Sequence, residues 1–122
     1  MPTREIARPE WKTYFDDFSK NRQGEVVSVE LIFDPQADPS YPLEHQPLVG
    51  LSYEQKGSDA GSILIMAGGE ETDSVTYRVT SPVHVYHKNA RGLISDEIND
   101  EEVIEVTSTD EPRIVFLRFA PA

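Results

Sequence analysis

Three histidines are the side chains of this sequence best suited to acid–base catalysis or metal binding, because imidazole titrates near neutral pH. His45 lies in a proline-rich segment, whereas His84 and His87 lie three positions apart in an alternating apolar and polar stretch. On a regular strand, side chains an odd number of positions apart point to opposite faces. We therefore expect structural or solvent-facing histidines and no metal site.

The acidic residues between positions 96 and 102 are a second candidate for ion binding, because calcium prefers oxygen ligands. Asp96, Ile98 and Asp100 fall on the alternating positions that an EF-hand loop uses. However, Ile98 has no side-chain oxygen, and the glycine that forms the sharp turn of such a loop is missing. We therefore interpret this segment as a solvated acidic loop.

The sequence lacks the patterns of a conventional enzyme. It contains no cysteine, which excludes a thiolate nucleophile, a disulfide and a thiolate metal site. Gly68 and Gly69 are followed by acids and not by a lysine and a helix, so they do not form a phosphate-binding loop. The serines do not form a nucleophile elbow. We expect a protein without catalytic residues, metal or cofactor.

Four residues could line a pocket for a small molecule: Tyr53, Tyr77, His87 and Arg118. Arg118 alternates with apolar residues of its segment, so it could face inward. An inward arginine needs an acidic partner or a bound anion, because a buried charge must be paired. It could equally extend to the rim of the barrel.

The distribution of charge excludes several classes of partner. The formal net charge is −11. Residues 1–22 carry five bases and four acids, whereas the other hundred residues carry six bases and eighteen acids. Binding to nucleic acid or to an anionic membrane depends on cations that neutralise phosphates. We therefore expect no nucleic-acid partner and no membrane partner.

Hydropathy gives no indication of a membrane span or a targeting segment. The longest apolar run covers residues 63–67, whereas a membrane-spanning helix needs about 20 apolar residues. The first residues lack the apolar core of a signal peptide. These features predict a cytoplasmic protein.

One amphipathic helix is predicted over residues 9–23, and its apolar stripe is almost entirely aromatic. The spacing i, i+3, i+4, i+7 places four side chains on one face: Trp11, Tyr14, Phe15 and Phe18. Pro9 suits the first helical position, and Gly24 suits the residue that ends a helix. The stripe must cover either the protein's own sheet or a partner. If part of it contacts a partner, we expect Trp11 and Tyr14 to form that interaction face.

The rest of the chain reads mainly as strands with a period of two. The segment 34–47 contains four prolines and is predicted to be a surface loop. The predicted strands cover residues 25–34, 47–54, 62–67, 73–80, 83–88, 102–108 and 113–120.

Short connections between these strands favour antiparallel pairing within one domain over residues 1–122. The predicted fold class is α+β, with the N-terminal helix packed on a strongly bent sheet or small β-barrel of about six to seven strands. A closed barrel is preferred because closure removes exposed strand edges. An open sheet with the helix across one face is the alternative.

Two motifs near the N-terminus resemble a known family. Residues 4–11 follow the pattern R-E-I-x-R-x-E-W, and residues 15–19 follow the pattern F-D-x-F-S. This opening is similar to that of a small bacterial family of unknown function. The resemblance implies no activity, cofactor or catalytic residue.

Binding is the function that these exclusions leave. The favoured hypothesis is a non-enzymatic protein-interaction or scaffold module that associates with a second copy or another protein. The contact would use an edge strand or the exposed side of the helix. The alternative is a small-molecule-binding barrel, and a hydrolytic enzyme is the least favoured.

Overall fold

The computed structural model describes residues 3–33, 36, 38–58, 60–69, 74–89 and 102–119. These residues form one α-helix, preceded by a 3-10 turn at Arg8–Glu10, and eight strands. The elements are β1 (Thr3–Ile6), α1 (Trp11–Arg22), β2 (Val26–Ile32), β3 (Ser40–Tyr53), β4 (Ile63–Ala67), β5 (Val75–Val79), β6 (Pro82–Asn89), β7 (Glu102–Ser108) and β8 (Ile114–Phe119). The predicted α+β class is confirmed.

All strand pairs are antiparallel, and the eight strands form one sheet in the order β1-β6-β7-β8-β2-β3-β4-β5. The long β3 pairs with β2 through its first half and with β4 through its second half. Among the described residues, β1 and β5 each pair with one strand and do not pair with each other. The sheet is therefore open, and the preferred prediction of a closed barrel is wrong.

The proline-rich segment differs most from the prediction. Residues 40–47 form the first half of β3, whereas the sequence predicted a loop there. The register between β2 and β3 shifts twice, so β3 carries an extra residue at each shift. Such β-bulges are sites where a strand tolerates proline. His45 takes a φ of 54° at the first bulge, and its N–H donates to Ser28 Oγ over 2.9 Å.

The aromatic stripe of α1 packs on one face of the sheet, which we call the inner face. Trp11, Phe15 and Phe18 are buried, and the ring centroid of Phe18 lies 5.1 Å from that of Phe119 on β8. Full burial of one such side chain contributes roughly 1.5–3 kcal/mol. The stripe therefore completes the protein's own core. The described part of the chain contains no helix long and apolar enough to cross a membrane.

Specific hydrogen bonds fix both ends of α1 on the sheet. Trp11 Nε1–H donates to the carbonyl oxygen of Ile6 over 2.8 Å. Near the other end, Ser19 Oγ accepts from the N–H of Leu51 and donates to its carbonyl oxygen, both over 2.6 Å. Trp11 is only 1% exposed, so its ring belongs to the core and offers almost no surface to a partner.

Candidate functional site

A buried ion pair joins α1 to the inner face of the sheet. The side chain of Glu102, at the start of β7, is fully buried with 0% exposure. Arg22 donates to it twice, from Nη1 to Oε1 over 2.6 Å and from Nη2 to Oε2 over 3.0 Å. His87 Nε2 lies 2.5 Å from Glu102 Oε2. We call Arg22, His87 and Glu102 the Glu102 cluster.

Hydrogen bonds within the Glu102 cluster favour the ionised form of Glu102 and the protonated form of Arg22. Burial alone would raise the pKa of Glu102, but hydrogen bonds from Arg22 and His87 outweigh it and lower that pKa. The hydrogen bond to Glu102 in turn raises the pKa of Arg22. Because Glu102 is ionised, His87 Nε2 must carry the proton that they share. Both carboxylate oxygens accept hydrogen bonds, and the cluster thus acts as a structural clamp.

Tyr14 lies beside this cluster and is half-buried. Its ring centroid is 6.2 Å from that of His87. Burial, followed by the negative charge of Glu102, raises the pKa of Tyr14 strongly. Its hydroxyl oxygen is buried and has no hydrogen-bond partner among the described residues. Tyr14 therefore stays protonated and supplies no base.

The four residues predicted to line a ligand pocket do not meet. Tyr53 contacts Trp11 edge-on at 5.1 Å, and Tyr77 lies on the edge strand β5. His87 lies on the inner face in the Glu102 cluster. Arg118 lies on the opposite, outer face of the sheet. The structure thus places the four residues at separate positions in an open sheet.

The sequence left the direction of Arg118 open, because alternation defines two faces without saying which one is buried. Val115, Leu117 and Phe119 occupy the inner face of β8, so Arg118 lies on the outer face. There its Nε donates to Glu30 Oε1 over 2.8 Å. An acidic partner therefore neutralises the arginine without a ligand.

His84 and His87 have different partners on the two sides of the sheet. His84 and His87 lie on opposite faces, as the odd spacing predicted, and His84 Nδ1 lies 2.8 Å from Glu5 Oε2. The described residues contain no group of three side chains suited to hold a metal ion. The acidic segment considered for calcium, residues 96–101, lies outside the described residues.

A surface cavity of about 350 Å³ lies between β1 and the first half of α1. We call it the β1–helix groove, and its lining residues are Arg4, Ile6, Pro9, Glu10, Thr13 and Tyr14. The guanidinium carbon of Arg4 lies 5.9 Å from the centroid of the Tyr14 ring. The sequence did not predict this groove because two of the four residues of β1 are charged, which hides the strand.

The second edge of the sheet is β5. Its residues Val75, Thr76 and Arg78 are exposed, and the exposed fraction of Val75 is 46%. A smaller cavity of about 200 Å³ lies beside Val75. The apolar part of its lining consists of Pro42, Leu43, Ala67 and Val75. Among the described residues, β5 pairs with β4 alone. This edge thus combines a backbone side that no described strand covers with exposed apolar surface.

Comparison with known proteins places the chain in a family. The model of a family of unknown function, DUF5335, matches residues 2–118. The chain belongs to this family. An uncharacterized protein of Aquifex aeolicus (strain VF5) is 28% identical over 122 residues, which cover 100% of this chain and 96% of that protein. No solved structure matches the chain significantly.

The DUF5335 match confirms the family resemblance. In this member of DUF5335, the segment 4–11 runs from β1 to the first residue of α1, and the segment 15–19 lies within α1. The first segment supplies Arg4, Ile6 and Glu10 to the groove, and the second supplies Phe15 and Phe18 to the core. The residues that suggested the family therefore form the helix and the groove.

Proposed function

We propose that this protein is a non-enzymatic association module in which two copies pair through β5. A strand at the edge of a sheet presents unpaired N–H and C=O groups that can pair with another chain. The observation that carries the proposal is the open edge of β5, whose one partner among the described residues is β4. Pairing would join two eight-stranded sheets into one.

Charge supports β5 as the edge at which two copies meet. With a net charge of −11, two copies repel each other over most of their surfaces. The strand Val75–Val79 contains one cation, Arg78, and no acid. The other edge, β1, carries an acid at Glu5 as well as a cation at Arg4. Electrostatic repulsion between two copies is therefore low where their β5 strands meet, although the protein as a whole is acidic.

An antiparallel pair centred on Tyr77 gives favourable contacts. It places Val75 opposite the partner's Val79 and Thr76 opposite the partner's Arg78, so no like charges face each other directly. The exposed apolar surface of Val75 becomes covered. Because five residues form the contact, the area is small and we expect weak, concentration-dependent association.

The Glu102 cluster supports a non-enzymatic function. Its carboxylate and imidazole hydrogen-bond to each other, and the Arg22 guanidinium binds both carboxylate oxygens. Groups committed in this way hold a helix on a sheet and leave no positioned nucleophile or general base. The acidic charge further supports a protein partner in preference to a nucleic acid.

Sedimentation equilibrium tests the pairing. We expect the average mass to rise with concentration from 13.7 kDa, the mass of one chain, towards twice that value. Val75→Glu should remain monomeric, because it places a negative charge in each of the two paired edges. Val26→Glu is the matched control, because Val26 is similarly exposed, at 40%, but lies on the central strand β2. A monomer at every concentration, or equal effects of the two variants, would contradict the proposal.

A further inference from the structure

We infer that the β1–helix groove binds an extended peptide that carries an acidic side chain and an apolar side chain on the same face. This site is separate from the pairing of copies, because β1 and β5 lie at opposite edges of the sheet. Grooves between an edge strand and a helix suit peptides in strand conformation, whose backbone pairs with the edge.

The backbone of β1 is positioned to accept an added strand. β1 pairs with β6 from Thr3 opposite Lys88 to Ile6 opposite Val85, and β6 is its one partner among the described residues. A peptide paired with the other side of β1 would lie about 4.8 Å away. Every second side chain of that peptide would point to the inner face, where α1 and the groove lie.

The groove offers an apolar surface to one of those side chains. Pro9 and Tyr14 supply this surface from the helical segment, whereas Ile6 of β1 lies beneath it and is only 2% exposed. Tyr14 lines the groove, and its hydroxyl oxygen is buried. The volume of about 350 Å³ falls within the range of ligand pockets, roughly 300–1,000 Å³. An aliphatic or aromatic side chain fits this chemistry.

The charged residues of the groove determine which second side chain the peptide should carry. Arg4 is exposed on the strand side and lies near the Tyr14 ring, and no carboxylate pairs with it among the described residues. Glu10 is exposed on the helix side and lines the same groove. An acid in the peptide would pair with Arg4 next to β1, whereas an acid near Glu10 would be repelled. The groove therefore favours one acidic residue, close to the strand edge.

Parallel selection of random nonapeptides displayed on phage tests this specificity. The wild-type protein should enrich peptides with an acidic residue two positions from an apolar one, the spacing that places both on one face. Arg4→Glu should lose the acid and enrich a basic residue at that position. Arg113→Glu is the matched control, because Arg113 is also exposed and lies outside the groove. No enrichment on the wild type, or identical peptides from Arg4→Glu, would overturn the inference.

A synthetic copy of the most enriched peptide then locates the site. Its addition should shift the backbone amide NMR signals of β1 and of Thr13 and Tyr14. N-methylation of alternate peptide nitrogens that face β1 should weaken binding at least about tenfold, because strand pairing needs main-chain donors. Unchanged affinity after methylation at every position, or shifts confined to other strands, would overturn the inference.

Two further measurements separate this inference from the association of copies. Val75→Glu should bind the peptide as tightly as the wild type, even if the wild type proves monomeric. If β1 of a second copy occupied the groove instead, Arg4→Glu would change the sedimentation mass and the peptide would compete with dimer formation. That result would overturn the assignment of the groove to a peptide ligand.

Discussion

Arg22 and Glu102 are eighty positions apart in the sequence and form a bidentate ion pair over 2.6 and 3.0 Å. The pair joins the last residue of α1 to the first residue of β7. Arg22 also lies over the ring of Phe18, at 4.7 Å from its centroid. This ion pair thus fixes the C-terminal end of α1. The N-terminal half of the same helix borders the β1–helix groove.

Removal of one member of this pair should destabilise the protein strongly. Arg22→Met removes both guanidinium hydrogen bonds from the fully buried Glu102 carboxylate. Breaking a buried ion pair costs roughly 3–5 kcal/mol, and the partial exposure of Arg22 favours the lower end, about 3 kcal/mol. Urea denaturation measures the change in free energy of unfolding.

The surface ion pair of Lys12 with Asp16 provides the control for this variant, because both side chains are about half exposed. Lys12→Met should change the free energy of unfolding by less than about 0.5 kcal/mol. Equal losses in Arg22→Met and Lys12→Met would show that the buried pair does not hold the helix.

The stability of the protein should fall in acid partly through Glu102. The folded protein lowers the pKa of Glu102 below its ordinary value of 4.5. The unfolded chain therefore binds this proton at a higher pH than the folded protein does. The stabilisation is present above pH 4.5 and is lost as the pH falls through the lower folded pKa.

Glu102→Gln isolates this contribution from that of the other carboxylates. Thermal or urea unfolding at a series of pH values should show a gap in stability between wild type and variant. That gap should be widest near neutral pH and should narrow below pH 4.5. A gap that stays constant or widens in acid would contradict the assignment.

Tyr14→Phe should leave the protein equally stable or more stable by up to about 1 kcal/mol. The hydroxyl oxygen is buried without a hydrogen-bond partner among the described residues, and removing an unpaired buried polar group removes a desolvation cost. The melting temperature measures the effect. A loss of more than about 1 kcal/mol would reveal a hydrogen bond of this hydroxyl.

A titration of the tyrosines followed by absorbance also tests the environment of Tyr14. The chain contains five tyrosines. Tyr14 should be among the last to ionise in alkaline solution, because burial and Glu102 raise its pKa. Tyr14→Phe should lose a late step of the titration. Loss of an early step would contradict the raised pKa of Tyr14.

Local patterns predicted the fold class and the helix, because the aromatic spacing and a period of two are properties of short segments. The sequence did not predict β1, because its four residues include two charged ones and show no alternation of apolar and polar side chains. The first half of β3 was missed because its prolines are accommodated by bulges, which depend on the partner strand.

The site residues were harder to predict, because their partners are distant in the sequence. Glu102 ends the acidic run that was interpreted as a solvated loop and begins the predicted strand 102–108, where it is in phase with the buried Ile104 and Val106. This alternation is the feature of the sequence that could have shown that Glu102 is buried. Arg22, its partner, was interpreted as a helix-ending cation, since an ion pair across eighty positions leaves no local pattern.

Disulfide trapping tests the association of copies most directly, because the chain has no cysteine of its own. In the proposed pair, Tyr77 faces the partner's Tyr77 across the symmetry axis. Opposed residues of antiparallel strands have Cα atoms about 4.5–5.5 Å apart, which suits a disulfide. Under mild oxidation, Tyr77→Cys should form a covalent dimer much faster than Val26→Cys, the exposed control on a central strand. Equal rates of dimer formation for the two variants would contradict pairing through β5.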